Sequence, residues 1–383
     1  MPKDIQEYKQ PTHNSYDNTR TKIHNIMKYL RKFKTKSDYN SFIRSTKDYP
    51  NVCLISDEGD VVYNTPPEPL YIEALEDIVI SFNNKYAYSR NNITWESATS
   101  ETVVSASKGE KIYFKASSLE VKDYSGIGRF TISNGRCNVG GHIMSMAKGS
   151  YFIGENNMSR HQFGCLFSGA SSIISAKNLI LPTTLSEWCY YGMFSWCENL
   201  IEPPKLEAVT LKSDCYHYMF EFCKSLEVAP ELPATTLAYA CYYGMFFGCS
   251  LKKAPELPVK ELKPYCYESM FAGCDFVTAP ELPATTLADF CYAKMFGDCE
   301  NLISGPELPA ANLSWGCYKQ MFENCKNLNH IKMLATDISA GYCLDKWVKG
   351  VASTGIFIKH PDAELPIGDS GIPENWTVET ATV

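Results

Sequence analysis

Six cysteine pairs share one spacing, Cys-x7-Cys: Cys189/Cys197, Cys215/Cys223, Cys241/Cys249, Cys266/Cys274, Cys291/Cys299 and Cys317/Cys325. Thiols in a fixed pattern can ligate a metal, crosslink, or pack. A zinc site draws on cysteines two to four residues apart, or on histidines at matched spacing. Here seven residues separate the thiols, and none of the seven histidines recurs with them. On a helix the two thiols of a pair would stand about 12 Å apart along the axis, at about 1.5 Å per residue. A disulfide tolerates a Cα separation of about 7 Å. Helices packed side by side hold equivalent residues about 8–10 Å apart, which also disfavours bridging. Reduced, buried thiols are the expected state of Cys189, Cys215, Cys241, Cys266, Cys291, Cys317 and their partners, because an unpaired cysteine behaves as a small hydrophobe.

The pairs belong to longer copies that begin CYYGMFSWCENL, CYHYMFEFCKSL, CYYGMFFGCSL, CYESMFAGCDF, CYAKMFGDCENL and CYKQMFENCKNL, spaced 26, 26, 25, 25 and 26 residues apart. A degenerate copy precedes them at Leu166-Phe167, and a partial one follows at Cys343. Fixed-period self-similarity of this length predicts a stacked repeat architecture, because one unit cannot bury its own apolar side. In each first half the apolar residues fall at i, i+1, i+4, i+5 and i+8, as in Cys215, Tyr216, Met219, Phe220 and Cys223. That spacing predicts one face of a short helix. The second half, SLEVAPELPATTL in one copy, is punctuated by proline. Proline lacks the N–H for a ladder, so any strand there is very short.

Two further ladders recur. Tyr190, Tyr216, Tyr242, Tyr267, Tyr292 and Tyr318 form either a stacked core or an exposed stripe suited to sugar or protein contact. Glu231, Glu256, Glu281 and Glu307 share one place in the PELP segments, with Lys205 there in the first complete copy. Aligned strands would set these carboxylates about 5 Å apart. The row is a screened acidic edge or a docking strip for a cation or basic partner.

Signals for catalysis are weak. There is no G-x-S-x-G, HExxH or P-loop, and GIGRF and NVGGH lie in a β-rich segment without a following helix. Glu198/Glu202 sit at helical spacing, and Glu73, Glu76 and Asp77 cluster near one strand instead of facing across a cleft as glycosidase carboxylates do. No enzymatic activity and no cofactor are expected.

The net charge of −7 argues against nucleic acid as the main partner. It is uneven: residues 1–50 carry eleven Lys/Arg against five Asp/Glu. Within them, Ile23, Ile26, Leu30 and Phe33 follow heptad spacing, which predicts a basic amphipathic helix that anchors or trimerises. MPKDIQEYKQPTH has no apolar core, so no secretory signal is expected, and no run approaches 18 apolar residues. Residues 51–69 read as a hairpin across Asp57-Glu58-Gly59 with a linker. Residues 70–150 read as a small β-sandwich, from strand signals at short spacing. The repeats occupy 151–348. A C-terminal cap at 349–383, reached through LDKWVKGVASTGIFIKH, is expected to hold a helix and two strands.

The residues Phe220, Cys223, Leu226, Leu232 and Pro233, and their equivalents in other copies, resemble the BspA-type leucine-rich repeat over about residues 160–345. The order NVCLISDEGDVVYN, EALEDIVISF, YAYSRNNITWES, then the repeats and GIPENWTV, resembles virion surface proteins, head or tail fibres, of phages of gut Bacteroidales (crAss-like). The expected fold is therefore α+β and multidomain: an N-terminal helical arm, a β-sandwich, a leucine-rich-repeat solenoid and a cap. The resemblance implies a virion protein made in a bacterial cytoplasm. Its N-terminus would bind other capsid or tail proteins, with a homotrimer as one form. Its repeats would attach to a bacterial surface glycan or protein, or to mucus. The alternative is a bacterial surface or secreted adhesin with the same repeats.

Overall fold

The computed structural model describes residues 54–55, 61–62, 68–117, 128–152 and 156–382. Leu54–Ile55 (β1) pairs antiparallel with Val61–Val62 (β2). Residues 1–50, including Ile23, Ile26, Leu30 and Phe33, lie outside the described residues.

Two sheets follow. Tyr71–Ala74 (β3), Ile78–Phe82 (β4), Tyr86–Ser89 (β5), Glu96–Ala98 (β6), Val103–Ala106 (β7), Lys111–Ala116 (β8), Phe130–Ser133 (β9) and Cys137–His142 (β10) are short, and β4, β7, β8 and β9 alternate strictly between buried and more exposed positions. Strands β7-β4-β9 form one sheet. The other has the order β11-β10-β3-β8-β5-β6, where β11 is Ile173–Ile180. Rings from both sheets interlock: Phe82 meets Phe114 at 5.8 Å and Phe114 meets Phe130 at 4.9 Å, both edge-to-face. Strand β11 pairs parallel with β10. At Ser175 it also bridges to Glu202 of the next coil, so the sheet runs into the repeats.

The α+β expectation is overturned. Among the described residues the one α-helix is Ser145–Lys148 (α1). The expected short helix in each repeat is absent, as is the helix expected at LDKWVKG. Each first half is instead a run of four-residue turns. In the copy at Cys215, the N–H groups of Cys215, His217, Met219, Glu221 and Cys223 donate to the carbonyl three residues back. Those of Tyr216, Tyr218, Phe220 and Phe222 donate to Cys241, Tyr243, Met245 and Phe247 of the next coil, at 2.8–3.1 Å. Alternate amides thus close a turn and bind a neighbour, which satisfies the backbone without a helix. Every fourth residue is left-handed, as at Asp214, Tyr218 and Phe222 or Phe290, Lys294 and Asp298. The apolar spacing i, i+1, i+4, i+5, i+8 is a period of four. Over eight residues a helix at about 100° per residue would swing the last position about 80° off the face.

The second halves touch through single bridges such as Thr210↔Thr236, Val228↔Lys253 and Glu261↔Thr286. Only at the C-terminal end do they widen into a parallel sheet, Ser304–Leu308 (β12), His330–Met333 (β13), Ile356–Lys359 (β14) and Thr377–Thr380 (β15), in that order. Strands β14 and β15 fall in the C-terminal segment and continue the stack.

Inside the coils, rings stack in two columns. Tyr190 through Tyr318 lie 5.7–6.2 Å apart and Phe167 through Phe322 5.4–6.1 Å apart, nearly parallel. Phe130 of the sandwich stacks on Phe167, and Trp347 ends both columns at Tyr318 and Phe322. One apolar core therefore runs from Leu70 to Trp376.

Candidate binding face

The cysteines line the core. The second thiol of each pair reaches the carbonyl of the Phe column in the preceding coil: Cys197 to Phe167, Cys223 to Phe194, Cys249 to Phe220, Cys274 to Phe246, Cys299 to Phe271 and Cys325 to Phe296, at 2.9–3.2 Å. The first thiols make longer contacts, as from Cys189 to the Cys215 carbonyl at 3.9 Å. Burial pushes Cys249 and Cys299 up to about 12, which keeps the thiols protonated and donating. The ladder Cys189, Cys215, Cys241, Cys266, Cys291 and Cys317 is buried throughout, and its thiols are free.

The tyrosine ladder is buried too, so it presents no stripe. The glutamate row is different: Glu231, Glu256 and Glu281 stand on the surface of the PELP segments. Glu231 and Glu256, with Val228, Pro230, Lys253 and Pro255, line an open cleft of about 490 Å³ between two coils. Glu307 pairs with Lys332 at 2.9 Å, so the row has Lys205 at one end and an ion pair at the other. The carboxylates singled out as catalytic candidates are dispersed: Glu202 pairs with Lys177 at 2.8 Å, Glu76 with Arg136 at 2.7 Å, and Asp77 accepts from the Lys108 amide. Among the described residues no three His, Cys, Asp or Glu side chains converge as a metal would require.

The face that sequence reasoning missed is the outside of the turns. In each four-residue turn two side chains point in and two point out, and the outward ones are aromatic over several coils. His161, Trp188, His217 and Tyr243 stack in a line at 5.3, 5.4 and 4.4 Å. Tyr218 meets Tyr243 edge-on at 5.4 Å, and Trp196 lies 4.3 Å from Phe222. Tyr239, Tyr265 and Phe290 continue along the stack at 5.3 and 5.0 Å. Trp196 (48%), Tyr239 (49%), Trp315 (48%) and Tyr342 (59%) keep about half their surface in water. Rings of one coil rest on bare backbone of the next: a Cβ on Gly248 would stand 2.6 Å from the Phe222 ring, and one on Gly244 would collide with Tyr218. The signal was present in the residues between the repeating ones, Trp188, Tyr191, Trp196, Tyr218 and Phe222.

Charged groups are set into this face. Buried Asp214 and His217 Nδ1 share a hydrogen bond of 2.9 Å. Burial raises the carboxyl and lowers the imidazole, while each partner pulls the other back. Held between Trp188 and Tyr243, His217 is a wall element. One position further along the stack is Glu268, whose carboxyl burial pushes up to about 7 against a weaker opposing pull from Lys319. Chemically the face offers ring edges, tyrosine hydroxyls and, at Glu268, an acid with one buried oxygen that has no hydrogen bond.

No protein-family model, curated protein or solved structure matches the chain. No helix among the described residues is long and apolar enough to cross a membrane.

Proposed function

We propose that this chain is a non-enzymatic attachment protein of a phage virion, which grips a bacterial surface or mucus component through the outer face of its coils. The observation that carries the reading is the aromatic band from Trp188 to Phe290, held on a stack bonded in two directions. Exposed Trp and Tyr on a pre-ordered backbone bind with little loss of freedom, and such residues dominate interface energetics. Many weak contacts per copy, repeated over a particle, give firm attachment without one deep pocket. The resemblance of the segment order to head and tail fibres supports the virion placement, with the basic residues 1–50 joining the particle.

Two measurements test this. Antibodies against residues 160–345 should label purified particles; label on uninfected cells with bare particles would replace the virion reading by the bacterial adhesin. Binding of the full chain to host cells should fall roughly tenfold or more in the double variant Trp196→Ala/Trp315→Ala, at positions exposed enough to leave folding intact. Unchanged binding would remove the aromatic face from the proposal.

A further inference from the structure

Most outward carboxylates of the turns are partnered, and among the described residues Glu268 is the one acid with a carboxylate oxygen that is both buried and without a hydrogen bond. Asp214 has His217, Glu221 has the Ser195 hydroxyl at 2.8 Å, Asp298 has Lys294 and Asn324, Glu323 has Gln320 and Lys349, and Asp345 has Lys319. Glu268 has no ion-pair partner among the described residues, and its Oε2 lies beneath the surface without a hydrogen bond. A buried acceptor left unpaired in a native fold calls for a reason. Lys319 and Lys294, the nearest outward lysines further along the stack, are engaged by Asp345 and Asp298.

The surroundings of Glu268 are aromatic. It follows Tyr243 in the outward row and precedes Ala293. Tyr265 lies one turn earlier in the same coil, with its ring 5.3 Å from Tyr239 and 5.0 Å from Phe290. Tyr218 stands on the other side against Tyr243. The Gly244 amide donates to the Glu268 carbonyl at 2.8 Å and the Glu268 amide to the Tyr265 carbonyl at 3.2 Å, so Tyr243 and Tyr265 flank it along the backbone, and Tyr218 joins them through its ring contact with Tyr243. We propose that Glu268 and the tyrosines around it form a receptor for the ammonium group of a lysine side chain on a partner protein. This rests on the attachment reading above and names its partner chemistry.

Three features select that ligand. The unpaired anion asks for a cation. An acceptor oxygen without a hydrogen bond asks for N–H donors, which a primary ammonium has and a quaternary one lacks. One carboxylate oxygen is covered and the side chain is only partly exposed, so a cation reaches the carboxylate best on a slim stem. Lysine carries its charge on a flexible four-carbon chain, whereas the guanidinium of arginine is a broad planar fork and an amino sugar brings its ring along. The tyrosine rings cover the methylenes and attract the cation.

The test uses the full chain at pH 8, where Glu268 is mostly ionised, and saturation-transfer NMR with Nα-acetyl-lysine methylamide, its Nε-acetylated form and glucosamine. The lysine amide should bind saturably to the wild-type chain and the Nε-acetylated form should not. Glu268→Gln should weaken binding roughly tenfold or more, because the charge partner is gone. Glu101→Gln, at an exposed turn of the sandwich, should leave it unchanged. Equal loss in both variants, no loss in Glu268→Gln, or a preference for glucosamine would overturn the proposal. An unchanged circular dichroism spectrum separates lost binding from lost folding. Host-cell binding by Trp196→Ala/Trp315→Ala is scored separately, so the receptor can fail while attachment stands, and the reverse.

Discussion

At the scale of single residues, the molecule separates groups that are inert by burial from one that is not. The core thiols stay protonated and hold Phe carbonyls. Glu268 is half-sheltered and unpaired, and its pKa in the folded chain is raised from 4.5 to about 7. The folded state therefore holds this proton more tightly than the unfolded chain does. The contribution of Glu268 is most favourable below pH 4.5, declines as pH rises to about 7, and is level above that. Glu268→Gln should then raise stability at pH 8 by about 1–3 kcal/mol, with solvent at the other carboxylate oxygen trimming the full linkage value. The gain should vanish near pH 4. Urea unfolding of both chains across that range checks it, and a variant that is less stable at pH 8 would contradict the assignment.

At the scale of elements, the turn rather than the helix is the unit, and this is where the sequence was hardest to read. Repeat length, the inward ladder and the brevity of the PELP strands were all legible, because apolar identity and proline speak directly. The backbone was not. In nine residues a period of four and one of 3.6 place Cys215, Tyr216, Met219 and Phe220 on almost the same face, and only Cys223 separates them. The aromatic face was hidden for a related reason: Trp188, Tyr218 and Phe222 occupy positions that change from copy to copy, and repetition draws attention to what stays. The glycines were the available clue. Gly248 sits left-handed beneath the Phe222 ring, as Gly244 does beneath Tyr218. Gly248→Ala should cost about 1–3 kcal/mol by forcing that ring aside. The cost should shrink in a Phe222→Ala background, since the colliding atoms are gone and other coils carry non-glycine residues at the same backbone angle. A double-mutant cycle on thermal unfolding measures the coupling; equal costs in both backgrounds would place the strain in the backbone instead.

At the scale of the whole molecule, stability depends on how the two ring columns end. At one end Phe130 continues the Phe column into the sandwich, where Tyr86 and Phe114 surround it. At the other, Trp347 takes the place of a Met and covers both columns, with Nε1 donating to the Gly371 carbonyl at 2.8 Å. Trp376 fastens the last segment through the Ala352 carbonyl. Trp347→Ala should cost about 3–5 kcal/mol. The loss should begin at the C-terminal coils, seen as early amide exchange at Tyr318 and Phe322 while Phe167 and Phe194 stay protected. Uniform loss of protection would instead mean that the stack melts as one body.

The alternating amide pattern also determines how the molecule answers to force. Bonds within a turn hold a coil's shape, while bonds to the next coil hold it in place. A pull on the two ends peels coils away singly, each releasing 25 or 26 residues of slack. At about 3.5 Å per extended residue, that is a lengthening of about 90 Å per event. A single molecule stretched between a surface and a probe should give a sawtooth of evenly spaced drops. A stack built this way yields in instalments and stays connected while it lengthens.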